Sequence, residues 1–117
     1  MKKIEKWLSQ FQSSWKTHDI EKVLSLFSKD VEYWETPFLK VSSFGNLRKE
    51  WEYVKGQQNI SIETEVFSAV NDKYTVKWQL IYTDDDNNTK TFRGVYLITL
   101  DSSDRCNYFF HCGELGN

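Results

Sequence analysis

DVEYWETPF, residues 30–38, is where the chain changes its period. Upstream of it, apolar residues recur every three or four positions. Within it they alternate, so that Val31, Tyr33 and Glu35 fall on one face of a strand and Glu32, Trp34 and Thr36 on the other. Pro37 ends the run because it has no N–H to give to a ladder. A strand bound for the core of a small domain, yet carrying two glutamates among its rings, predicts a cavity on one side and water or a neighbouring chain on the other.

Before this stretch, Ile4, Trp7, Leu8, Phe11 and Trp15 form one apolar stripe, which predicts a helix from about residue 3 to residue 16 with Lys16 in its last turn. Asp19 stands at an N-cap position, and Ile20, Val23, Leu24 and Phe27 carry helical spacing through a second, shorter helix. After Pro37, KVSSFGN reads as a loop; Ser43 or Asn46 caps a third helix built on Leu47, Trp51 and Val54, which Gly56 stops. From Asn59 onward the residues alternate. Ile60, Ile62, Thr64, Val66, Ser68 and Val70 share a face; a tight turn at Asn71–Asp72 leads to Tyr74, Val76, Trp78, Leu80 and Tyr82. DDDNNTK reverses the chain into Phe92, Gly94, Tyr96, Ile98 and Leu100, and SSDR reverses it again into a last strand whose apolar face is read as Cys106, Tyr108, Phe110 and Cys112. Helices first, then four long strands in a meander, is the pattern of an α+β domain with its helices on one side of a curved antiparallel sheet. The other sheet face mixes Glu63, Lys77 and Arg93 with Phe67, Val95 and Leu97, a half-apolar surface that predicts a homodimer through the outer face.

A length of 117 residues suits one domain spanning 1–117 with one core. The 15 basic and 17 acidic residues are spread along the chain and leave a net charge of −2, so there is no basic stripe for phosphates, and nucleic acid is not expected as a partner. No apolar run approaches the roughly 20 residues of a membrane helix, and MKKIEKWLSQ is amphipathic, unlike a signal peptide. A cytoplasmic protein without a membrane partner is the expectation. Cys106 and Cys112 lie about 20 Å apart along one strand, beyond disulfide reach, and are expected to be reduced. The composition is unusual in its rings: 16% of residues are aromatic and five are tryptophan.

Two stretches carry a resemblance to a known family. FQSSWKTHDIEKVLSLFSKDVEYWETPF, residues 11–38, is similar to the opening of the nuclear transport factor 2-like superfamily, in the branch of SnoaL-like polyketide cyclases and ketosteroid isomerase: a helix after an aspartate, an aromatic, an acid, and an aromatic strand closed by proline. FRGVYLITLDSSDRCNYFF, residues 92–110, is similar to that superfamily's closing hairpin. The resemblance implies a cystatin-like, cone-shaped α+β barrel, three helices packed on a curved and mainly antiparallel sheet, a pocket between them, and dimerisation. Its members include isomerases, cyclases, dehydratases and epoxide hydrolases, so it leaves the chemistry open.

The resemblance places the isomerases' general base at Glu35 when counted from Phe27 and at Thr36 when counted back from Pro37. A carboxylate at the end of an apolar strand has its pKa raised by desolvation, which favours Glu35 as the acid–base residue. The competing reading makes Glu35 a rim glutamate paired with Lys40. The isomerases' helix-one tyrosine, an oxyanion donor, falls on Phe11, which has no hydroxyl. His111 shares its predicted face with Asn107 and Phe109, pointing to the surface or an interface, and His18 sits in an exposed corner. One His-x-Cys fragment is too little for a metal site, so neither metal nor cofactor is expected.

Trp15, Tyr33, Trp51, Trp78, Tyr82, Phe92 and Tyr96 remain as the ligand-contacting candidates, with Gly94 leaving room for a ligand or for bending of the sheet. The sequence thus supports a small-molecule-binding domain for an apolar or aromatic metabolite. Two other readings stand beside it: an isomerase, cyclase or lyase using Glu35 as base with Tyr33 or Tyr96 as oxyanion donor, and a dimeric interaction module with a vestigial pocket.

Overall fold

The computed structural model describes residues 2–116. Helix α1, Lys3–Lys16, forms on the expected stripe and buries Ile4, Trp7, Leu8, Phe11 and Trp15. A corner at Thr17–Asp19, in which His18 takes a positive φ of 57°, leads to α2, Ile20–Ser25. Asp19 caps it by accepting from the Lys22 N–H at 3.1 Å. The helix stops two residues earlier than the spacing predicts. Phe27 already belongs to strand β1, Phe27–Thr36, because the Leu26 carbonyl is taken by the Cys106 N–H and by the Trp7 indole, at 2.8 and 3.0 Å.

KVSSFGN is not wholly loop. A short strand β2, Leu39–Val41, pairs back on β1, and α3, Phe44–Glu52, starts at Ser43, whose Oγ accepts the Asn46 N–H. A 3₁₀ turn, Tyr53–Gly56, continues from α3 and holds Val54. Then come β3, Gln58–Val70, β4, Lys73–Thr83, β5, Thr89–Leu100, and β6, Cys106–Leu115. Among the described residues they make one six-stranded sheet in the order β2-β1-β6-β5-β4-β3, antiparallel except where β6 runs parallel to β1. The architecture is α+β, three helices and a mostly antiparallel sheet.

Of the register shifts in the sheet, two overturn the faces that the sequence reading assigns towards the strand ends. In β3 an extra residue at Phe67 shifts the register, so Ser68 pairs with Thr75 and Val70 with Lys73; both turn to the outer face, and Val70 is exposed. In β6, Leu100 pairs with Cys106 but Thr99 pairs with Tyr108, leaving Asn107 extra. Beyond that point every side chain of β6 changes face. Phe109 and His111 point inward, whereas Tyr108, Phe110 and Cys112, expected inside, point outward.

α1 lies across the inner face. Its first turn is tied down by the Lys3 ammonium on the Asp101 carbonyl at 2.8 Å, and its middle by the Gln12 amide on Thr64 at 2.8 Å. Phe11, at 1% exposure, meets Trp7, Phe27, Trp51, Tyr96 and Phe109 with ring centroids 4.9–6.2 Å apart. The core is therefore a cluster of mostly tilted and edge-on rings, an arrangement favoured by the aromatic quadrupole.

Candidate functional site

At the C-terminal end of α1 the rings do not close. Helix α3, the 3₁₀ turn and the inner face of the sheet enclose a cavity of about 230 Å³. Trp15 and Trp51 wall it from the helices, with centroids 4.9 Å apart and planes nearly perpendicular. Trp78, Tyr96 and Tyr33 wall it from the sheet, and Tyr82 and Phe92, stacked parallel at 6.1 Å, stand towards the mouth. Thus the seven aromatic candidates and Glu35 surround one space. Val54, Gln57, Glu50 and Tyr53 also line it, and the sequence reading did not single them out for it.

Glu35 lines the cavity and Thr36 is exposed, at a register shift against β2 that sets Trp34 opposite Lys40 and Thr36 opposite Leu39. The carboxyl is held at about 7 against an ordinary 4.5, first by burial and second by the negative charge of Glu50 on α3. Lys40 is exposed and enters no ion pair with Glu35 among the described residues, so the rim-pair reading does not hold. A group that titrates near neutrality inside an apolar cavity can both accept and return a proton.

His111 is the residue that strand parity misplaced. The bulge at Asn107 brings it to the inner face beside Glu35, where its Nδ1 lies 2.7 Å from the Glu35 main-chain oxygen. A carbonyl only accepts, so Nδ1 carries the proton and Nε2 keeps its lone pair. Burial pushes the imidazole below its usual range, against the opposing pull of that hydrogen bond. The ring stacks on Trp78 at 5.1 Å. No composition or spacing signal marks the bulge; only pairing of Leu100 with Cys106 reveals it.

Tyr33 and Tyr96 are both buried, and burial together with the nearby charge of Glu35 holds their phenols far above the ordinary range. They stay protonated and available as donors. The Trp15 indole donates to the Gln57 side chain at 2.8 Å and the Trp51 N–H is directed at the Tyr33 phenol oxygen, whereas the buried Trp78 N–H has no acceptor among the described residues. Phe11 lines the cavity with a bare ring, so no hydroxyl enters from that point of α1. Glu32 faces the other way and accepts from Trp34 Nε1 at 2.8 Å. His18 bonds the Gln57 main-chain oxygen at 2.6 Å, which ties the α1–α2 corner to the start of β3. Cys106 is fully buried, its thiol pushed up by burial, so it behaves as a small apolar side chain, while Cys112 is exposed on the outer face. The described residues contain no cluster of three or more His, Cys, Asp or Glu able to hold a metal ion. No helix among them is long and apolar enough to cross a membrane.

No protein-family model matches the chain, and no curated protein matches it in sequence. Solved structures do match it in fold. A Δ5-3-ketosteroid isomerase from Mycobacterium sp. superposes with a TM-score of 0.81 over 99% of this chain and 100% of the other, at 13% identity. A Mycobacterium tuberculosis protein solved with estradiol-17β-hemisuccinate gives 0.79 over 94% and 92%, at 14% identity. A nuclear transport factor 2-like protein from Exiguobacterium sp. 255-15 gives 0.76 over 97% and 98%, at 14% identity. The fold is that of the nuclear transport factor 2-like proteins, and at these identities the likeness extends to fold alone.

Proposed function

We propose that the protein binds a small, neutral, apolar or aromatic molecule in this cavity. The observation that carries the reading is the cavity itself: about 230 Å³, walled by tryptophan, tyrosine and phenylalanine, with its polar groups gathered on one side. That volume lies between the 150 Å³ in which benzene binds and the roughly 300 Å³ at which drug-sized pockets begin, so one or two rings fit. Glu35 and Glu50, with no cation beside Glu35 among the described residues, disfavour an anionic ligand. A carbonyl or hydroxyl oxygen on the ligand would find donors in Tyr33 and Tyr96, and one deep enough could supply an acceptor to the Trp78 N–H. The steroid-derived ligand of the Mycobacterium tuberculosis structure supports small-molecule binding in this fold. A ligand at a hundred times its Kd stabilises the folded state by about 2.7 kcal/mol, so a thermal-shift screen of ring compounds should raise Tm by several degrees. A screen in which no ring compound moves Tm leaves only the interaction module with a vestigial pocket.

A second reading is favoured by Glu35 and His111 together: an isomerase or lyase in which Glu35 takes a proton next to a carbonyl while Tyr33 or Tyr96 donates to the developing oxyanion. His111, neutral and with Nε2 free, is placed to take part in the same proton transfer. Replacing Glu35 by Gln separates the readings. Retained binding with lost turnover supports the enzyme, and absence of turnover in both proteins leaves the binder. The outer sheet face, with Phe67, Val70 and Leu97 exposed, supports a homodimer, which sedimentation of the wild type against Leu97→Glu tests.

A further inference from the structure

We propose that Trp78 is the specificity-determining residue of the cavity, limiting it to planar ligands of one or two fused rings, and that Gly94 and Gly113 form the seat that lets it do so. The inference rests on the cavity-binding reading above. Trp78 pairs with Gly94 across β4–β5, and Gly94 pairs with Gly113 across β5–β6. The indole lies over both glycines. A Cβ on Gly94 would come within 2.8 Å of Trp78 Cζ2, and a Cβ on Gly113 within 2.5 Å of Cζ2 and 2.7 Å of Cη2. Carbon atoms in contact settle at about 3.5–4.0 Å, so any side chain at either position lifts the ring. Bare backbone on two adjacent strands is what allows an indole to lie along the sheet.

Its neighbours fix it there. Tyr96 stacks on it at 5.3 Å with planes 14° apart, and His111 at 5.1 Å with planes 22° apart. His111 is itself held by the Glu35 main-chain oxygen. The indole is therefore a rigid floor, 5% exposed, opposite the helix-side wall of Trp15 and Trp51. Lying between the glycines and these two rings, it occupies the depth that a larger ring system would need. Gly94 also serves the sheet, because its Cβ would meet the Cys112 carbonyl at 1.9 Å. Gly113 is different: within 3 Å its Cβ meets only Trp78 ring atoms, so Gly113→Ala moves the floor while sparing the backbone.

Calorimetric titration of the wild type, Gly113→Ala and Trp78→Leu with phenol, 2-naphthol and 17β-estradiol tests this. The wild type should favour 2-naphthol over estradiol by about tenfold or more, the scale on which pocket size discriminates. Gly113→Ala should weaken 2-naphthol by about tenfold while phenol stays within about threefold, and Trp78→Leu should strengthen estradiol by about tenfold. Circular dichroism establishes that each variant is folded, and if Trp78→Leu does not fold, the ratio in Gly113→Ala decides. An unchanged 2-naphthol-to-phenol ratio in Gly113→Ala overturns the role of Trp78 and leaves the binding cavity standing. No heat from any probe with any of the folded proteins removes the binding reading, and this inference with it.

Discussion

The space between the helices and the sheet has two ends made of the same kinds of residue, one filled and one hollow. At the filled end Trp7, Phe27, Ile98, Leu100 and Cys106 are at most 2% exposed, and their polar atoms are paired within the chain: Trp7 Nε1 with the Leu26 carbonyl, Cys106 Sγ with the Tyr108 carbonyl. At the hollow end the polar atoms are left over. Among the described residues the Glu35 carboxyl has neither a cation nor a hydrogen-bond donor beside it, and the Trp78 indole N–H lacks an acceptor. Packing rings over an ionisable carboxyl would remove it from water with nothing in return, at a cost of several kcal/mol. Rings fill a space when they have only rings to cover; they line it when a charge-bearing group shares the wall.

The sharpest way to break this contrast is to hollow out the filled end. Phe27 is 2% exposed and makes edge contacts with Trp7, Phe11, Tyr33 and Phe109, yet does not line the cavity. Phe27→Ala should cost about 3–5 kcal/mol in urea unfolding, through lost transfer energy and an unrelaxed void. A cost below about 1 kcal/mol would mean that the filled end collapses as readily as an open one.

Next in size is the carboxyl at the hollow end. Its value is about 7 in the fold and 4.5 in ordinary surroundings, so the fold favours the protonated form. The stability associated with that form is complete below about pH 4.5 and is lost as pH rises towards about 7. Glu35→Gln cannot ionise. It should match the wild type near pH 4 and be more stable by roughly 3 kcal/mol near pH 8, as read from unfolding free energies across pH. His111 and Glu50, which face the same carboxyl, are present in both proteins and largely cancel in the difference. A flat difference across pH would show that Glu35 reaches water freely.

The two ends also differ in how they treat an indole N–H. Trp7→Phe removes a made hydrogen bond, whereas Trp78→Phe removes a buried donor that has no acceptor among the described residues. Both changes subtract the same atoms, so their difference, about 2 kcal/mol with Trp7→Phe the costlier, isolates the polar contribution. Equal costs would mean that the Trp78 donor finds a partner in solution, most simply an ordered water.

Most of the fold was legible because periodicity reports it directly. The α1 stripe, the Asp19 cap, the inward face of β1 at Tyr33 and Glu35, and the β4–β5 pairing all follow from spacing. The misassigned strand faces follow from one physical fact: a bulge inserts a residue without changing composition. One at Asn107 hid His111 from the cavity and assigned Tyr108, Phe110 and Cys112 to the wrong face; one at Phe67 did the same for Ser68 and Val70. Strand β2 was missed because three residues are too few to show alternation. Gln57 and Glu50 were missed because their places depend on how α3 and the 3₁₀ turn approach the sheet, which no local pattern encodes.

The smallest effect belongs to the mouth. Tyr82 and Phe92 stack with planes 2° apart and are only partly buried, so this pair resembles the core chemically while lacking its confinement. Tyr82→Ala removes the stack but leaves its space open to water, which fills it, so the unrelaxed-void contribution that dominates at Phe27 is missing. The cost should be about 1 kcal/mol or less, the scale of one aromatic pair, measured by urea unfolding beside Phe27→Ala. Tyr82 also has its phenol raised by partial burial and by Asp84, but that ionisation lies far above neutral pH and leaves the comparison at pH 7 unaffected. If Tyr82→Ala proved as costly as Phe27→Ala, rings at the mouth would be holding the sheet together, and the separation into a filled end that stabilises and a hollow end free to bind would not stand.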